Sequence, residues 1–264
     1  MRSARFGLLL CFSSLCGSIW AQQPPPTTSP TQLLLQKSLA ALVGTATIND
    51  VTLAGTVRRI AGSDDETGTL TLKALVSGDA RMDSTFPSGL LSEIRATSDG
   101  GPAGNWIGPD AKLHEESLHN CWTDATWFFP AFLSAYSGSP NIPVQYIGPE
   151  THDGTSVVHL RSARMVPGDT AGDPSSFVAQ LSQIEIYLDS QSLLPVAITF
   201  NIHPDVNASS NIPVEIQYSD YQSMNGGQVP NHIQEYIQNG LALDITITSA
   251  TFNSGLTSAS FPIQ

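Results

Sequence analysis

The sequence predicts an α+β fold built on one large, curved antiparallel sheet. Three observations carry that expectation. A helical hydrophobic period of about 3.6 is confined to residues 32–43 near the start. From residue 51 onward a period of two recurs in segment after segment. Short glycine-rich turns separate those segments, and no second domain boundary interrupts them.

The elements follow in order. In residues 32–43, Leu35, Leu39 and Leu42 form an apolar stripe, flanked by Leu34 and Val43, with Lys37 and Ser38 off it. Gly44 supplies the stop, because glycine accepts a left-handed cap. Val51, Leu53, Gly55 and Val57 then alternate with Thr52, Ala54, Thr56 and Arg58. Residues 62–68, glycine at both ends and acidic between, read as a hairpin turn. Strands are expected at 69–73, 80–83 and 93–97, and residues 98–112, rich in Gly and Pro, read as a loop. Residues 122–136 read as a helix that Pro130 starts or kinks. Strands resume at 144–147 and 156–164, then at 184–189, 196–202, 214–218, 233–238 and 241–248. About ten strands and two or three helices are expected.

The ends differ from this body. Residues 1–21 have the layout of a secretory signal: Arg2 and Arg5, an apolar run over 7–15, and a small-residue exit before cleavage after Ala21. Residues 22–31 contain Pro24, Pro25 and Pro26 and read as an extended tether. Residues 32–264 then form one domain. Loss of the signal removes two cations and no acid, so the formal charge moves from −12 to −14 over 243 residues. Such a chain is a poor ligand for nucleic acid and is repelled by anionic membrane surfaces. Leu10 and Leu15 precede Cys11 and Cys16, which disfavours lipidation, so a soluble periplasmic protein is expected. Only Cys121 survives cleavage, which excludes an internal disulfide.

Chemical signatures are sparse. His114-Glu115-Glu116-Ser117-Leu118-His119 resembles a zinc-protease helix but spaces its histidines by five. On a helix that rotates them by roughly 140° from one another. His114, His119 and Cys121 are therefore weak metal candidates, and the alternative is a polar loop with Cys121 buried as a small hydrophobe. No Gly-x-Ser-x-Gly elbow and no phosphate loop is present. No cofactor and no enzymatic activity are expected. The aromatic segment is more distinctive. Trp122, Trp127, Phe128, Phe129 and Phe132 place five of the chain's twenty aromatic residues within eleven positions. They either line an apolar site or fill the core.

Several local patterns resemble the LolA-like superfamily of periplasmic lipoprotein carriers and outer-membrane lipoprotein-sorting proteins. They are the helix ending Ala40-Ala41-Leu42-Val43-Gly44, the strand 51–57, and Gly68-Thr69-Leu70-Thr71-Leu72-Lys73 with Arg81-Met82-Asp83 after it. Residues 187–196, with Asp189 at the turn and Leu194-Pro195 opening a strand, and 218–230 extend the likeness. The resemblance implies an unclosed β-barrel with helices over its concave face, whose cavity takes up acyl chains. It would make Trp122, Trp127, Phe128, Phe129, Phe132, Leu35 and Leu39 the lining or lid. An apolar ligand such as a lipid or an acylated protein is then the expected partner. The alternative is an envelope interaction protein with a filled core. The carriers' second strand ends Lys-Arg-Pro, and that arginine is tied to handing over lipoprotein. Here the stretch reads Lys73-Ala74-Leu75.

Overall fold

The computed structural model describes residues 29–98, 101–136, 142–165 and 177–263. The expected signal, and all but the last three residues of the tether, lie outside them. Among the described residues thirteen antiparallel strands form one sheet in the order β6-β5-β4-β3-β2-β1-β13-β12-β11-β10-β9-β8-β7. The chain enters through helix α1 (Pro30–Val43) and lays down β1 (Asp50–Ala61) in the middle. It then meanders outward through β2 (Asp64–Leu75), β3 (Ala80–Phe86), β4 (Gly89–Ser98), β5 (Gly101–Ile107) and β6 (Leu113–Glu115). Helix α2 (Pro130–Tyr136) follows. The second meander starts at the opposite edge with β7 (Val144–His152) and β8 (Thr155–Ser162). After α3 (Phe177–Leu181) come β9 (Ile184–Asp189), β10 (Pro195–Ile202), β11 (Ile212–Met224), β12 (Gly227–Ile237) and β13 (Gly240–Phe252). β13 pairs with β1, Val51 opposite Phe252, and joins the two meanders.

The strand alternation has the expected result. Leu53, Leu72, Ile186, Ile198, Ile216, Ile233 and Ile247 all face a single core with α1 and α2. That core spans strands too far apart to meet on a flat sheet. Glu93 on β4 also interacts electrostatically with Glu235 on β12, five strands away. Flat spacing would separate them by about 24 Å. The sheet therefore curls into a half-barrel with two free edges, β6 and β7. Register shifts at Ala54/Gly55, Glu235/Tyr236 and Tyr146/Gly148 are bulges of the kind that bend a sheet.

Four expectations change. The turn read at 62–68 shrinks to Gly62 and Ser63. The acidic run continues the hairpin because Arg58 donates to both oxygens of Asp65, at 2.8 and 2.7 Å. The loop read at 98–112 contains β5, and β6 follows directly after it at Leu113–Glu115. Its proline is tolerated because β6 reaches only Asn105–Ile107, so β5 has no second neighbour at Pro102. The helix read at 122–136 exists only from Pro130. Before it, Asp124 accepts from the Thr126 amide and hydroxyl and holds a turn instead. Ser38 lies on the buried face of α1, not off it, with its Oγ 3.4 Å from Ser134 Oγ on α2.

Candidate functional site

Because β6 and β7 are opposite edges of an open sheet, the chain between them must travel from rim to rim. The part of that crossing within the described residues, 116–136 and 142–143, carries the aromatic segment. Pro130 starts α2 at the position where its missing amide costs least. Phe128, Phe129 and Phe132 are each about 1% exposed and Trp127 9%. They pack edge-on, Trp127 against Phe128 at 5.7 Å and Phe129 against Phe132 at 4.9 Å between ring centres. Leu35 is fully buried beside them, and Leu39 packs half-buried at the margin. Trp122 is half-buried on the wall of a cavity of about 40 Å³ with Asp124, Leu133 and Ile186. A second void, about 10 Å³, lies beside Trp127, Phe128 and Arg95. The predicted ligand-binding residues thus converge on one face, where they form a plug in the cup.

Polar groups pin that plug to both halves of the sheet. Arg95 on β4 donates to the Asn120 carbonyl at 3.0 Å and to Thr123 Oγ1, while its Nε holds Glu93 at 2.7 Å. From the other side, Asn120 exchanges two 2.8 Å hydrogen bonds with the His203 backbone just past β10. Ser117 donates to Asp205 at 2.7 Å, and the Tyr218 hydroxyl donates to the Trp127 carbonyl. Burial raises the carboxyls of Asp124 and Glu116 above their ordinary range. Glu235 is pushed up to about 7, first by burial and then by Glu93. Single-residue patterns gave no sign of this acid cluster, because its members come from β4, β12 and the crossover.

The weak metal candidates are not brought together. His114 stacks on Trp106 at 4.1 Å and bonds Asp110. His119 Nε2 lies 3.1 Å from the Pro204 carbonyl. Cys121 is buried, its thiol pushed up to about 11 chiefly by burial, which leaves no thiolate at neutral pH. Among the described residues the group close enough to share an ion is His152, Asp153 and Glu215 instead.

An open antiparallel half-barrel with an N-terminal helix over its cup has solved counterparts. A LolA superfamily protein from Nitrosomonas europaea superposes with a TM-score of 0.55 at 11% identity, over 89% of this chain and 99% of the other. The chain has the LolA-like fold. A domain from Vibrio parahaemolyticus described as outer-membrane lipoprotein-sorting gives 0.53 at 14% identity, over 88% and 95%. A DUF1329 family protein from Desulfovibrio piger gives 0.53 at 12%, over 89% and 98%. No family model and no curated protein matches the sequence. At these identities the likeness is one of fold. Within the LolA-like fold, the β2 position that resembles the carriers' arginine is Ala74, fully buried among core residues.

Proposed function

We propose that this is an exported, non-enzymatic envelope protein that binds an apolar ligand, a lipid or the acyl chain of an acylated protein, in its half-barrel. The carrying observation is that the sheet's concave face is covered by apolar side chains of α1 and of the rim-to-rim crossover, with Phe128, Phe129 and Phe132 from the crossover. A crossover segment can leave without breaking a strand ladder, and the apolar surface it uncovers is what an acyl chain would cover, whereas a strand cannot leave. In the closed state Phe128, Phe129 and Phe132 occupy the place an acyl chain would take. The LolA-like fold supports the reading, as does the secretory layout of residues 1–21. No described helix is long and apolar enough to cross a membrane. Hand-over of lipoprotein is not included, since Ala74 presents no cation.

The test locks the plug. In a Cys121→Ser background, Ser38→Cys with Ser134→Cys replaces two hydroxyls 3.4 Å apart, so oxidation ties α1 to α2. The reduced protein is expected to take up a fluorescent fatty acid with micromolar affinity. The oxidised protein is expected to lose at least tenfold, and reductant to restore it. No uptake by wild type or the reduced variant, with no lipid found in the purified protein by mass spectrometry, overturns the proposal. A filled-core interaction module would then be the reading, and the 10 and 40 Å³ voids favour it.

A further inference from the structure

The outer face of β7–β11 carries a cluster that the plugged cup does not use. Tyr187 is sandwiched by two imidazoles, His152 at 4.0 Å and His159 at 4.6 Å between ring centres. With Val157 and Ala197 it forms a small apolar patch separate from the main core. Four carboxylates surround it: Glu150, Asp153, Glu185 and Glu215. Arg161 and His159 both bond Glu185, at 2.7 Å each. His152 Nε2 lies 3.0 Å from Glu215 Oε1 and 3.9 Å from Asp153 Oδ2. Gln217 Nε2 donates to those same two carboxylates, at 2.9 and 3.0 Å. Strand alternation puts Glu215 and Gln217 on one face, and Asp153 reaches them from the β7–β8 turn. That turn is Asp153-Gly154 with φ of 44° and 81°, the left-handed pair of a tight hairpin, which places Asp153 at its tip.

We propose that His152, Asp153 and Glu215 bind a divalent transition metal ion of the zinc class. Their ligand atoms all lie within 4.8 Å of one another. Tetrahedral zinc with ligands at about 2.1 Å separates them by ~3.4 Å. The 3.0 and 3.9 Å distances bracket that value, so small rotations close the site. One imidazole among oxygen donors selects zinc-like ions over calcium or magnesium. Both carboxylates already turn toward His152 and the Gln217 amide, so a metal would take the place of the imidazole–Glu215 hydrogen bond without moving the backbone. Turning the Gln217 amide over would present its carbonyl as a fourth donor. A groove of about 390 Å³ runs past His152, Asp153 and Gln217 toward Asp189 and Tyr221, which leaves a coordination position open to a small ligand.

The full mature chain, purified without an affinity tag and stripped of metal, is titrated with zinc ion by calorimetry. One equivalent is expected to bind at micromolar affinity or tighter, unaffected by millimolar calcium. His152→Ala and Glu215→Gln should each weaken it at least tenfold with unchanged circular dichroism. His232→Ala is the control: it breaks a similar pair with Asp244 at 2.7 Å on neighbouring strands and should leave zinc binding unchanged. Absence of saturable binding, binding untouched by Glu215→Gln, or binding equally lowered by His232→Ala overturns the proposal. If His152→Ala does not fold, Glu215→Gln alone decides. The outcome is independent of whether the cup takes up an acyl chain.

Discussion

Glu235 shows what a single residue gives up to the fold. It faces the helix-covered side between Ile216 and Leu243, half-buried, with Glu93 repelling its charge and Arg95 only partly offsetting it. Its carboxyl therefore stays protonated up to about pH 7, against ~4.3 in the unfolded chain. Between those values the folded state binds a proton that the unfolded state has lost. Stability thus falls as pH rises through this window and stays reduced above it. Glu235→Gln keeps the shape of the protonated acid and removes the penalty. It should be more stable than wild type by about 2 kcal/mol at pH 8 in urea unfolding, and equal to it near pH 4. A gain that does not change with pH would show that the carboxyl titrates normally. Cys121 and Asp124 are shifted by the same desolvation, and neither shift is visible in the residue's sequence neighbours.

At the scale of elements, the decisive feature is how β1 meets β13. Gly55 sits at a register shift, and a Cβ built there would lie 2.0 Å from the Thr246 carbonyl oxygen. The two backbones approach so closely that no side chain fits between them. Gly55→Ala should destabilise the protein by about 2 kcal/mol or more, because backbone must move at the joint between the meanders. Gly62→Ala is a useful comparison: nothing lies within 4 Å of its Cβ, and its cost is only the left-handed φ of 63°. Thermal melts ranking Gly62→Ala below Gly55→Ala would contradict the joint's role. The plug obeys the same logic of short segments. Its helix has only seven residues, too few to be stable alone, so its conformation depends on the cup that it fills.

At the scale of the whole molecule, the described strands form a single sheet, and the aromatic part of the chain between its two edges fills its concave face. That topology makes closure of the cup and burial of the aromatic segment one event. The formal charge of −12, or −14 over residues 22–264 alone, is carried by a chain with only eleven Lys and Arg. At moderate salt the mature protein is expected to stay in the supernatant with anionic vesicles in a co-sedimentation assay. Tight pelleting would show an apolar membrane-docking surface that outweighs the charge.

The sequence by itself determined the element types and the fold class. Side-chain period is a local property, so Leu35, Leu39 and Leu42 report a helix and Ile184, Ile186 and Leu188 report a strand without reference to anything distant. It also singled out the aromatic segment, which is the part of the candidate site legible in the chain. It failed at β5 and β6, where glycine and proline mimic a loop and only pairing with β4 makes a strand. Tertiary structure decided what long-range contact decides. It joined Val51 to Phe252, buried the aromatic segment in the main core, and set Glu93 against Glu235. It also separated His114, His119 and Cys121 while bringing His152 within 3.0 Å of Glu215, 63 residues away. No pattern along the chain encodes such meetings, because they depend on how the whole sheet curls and on the register that each strand takes.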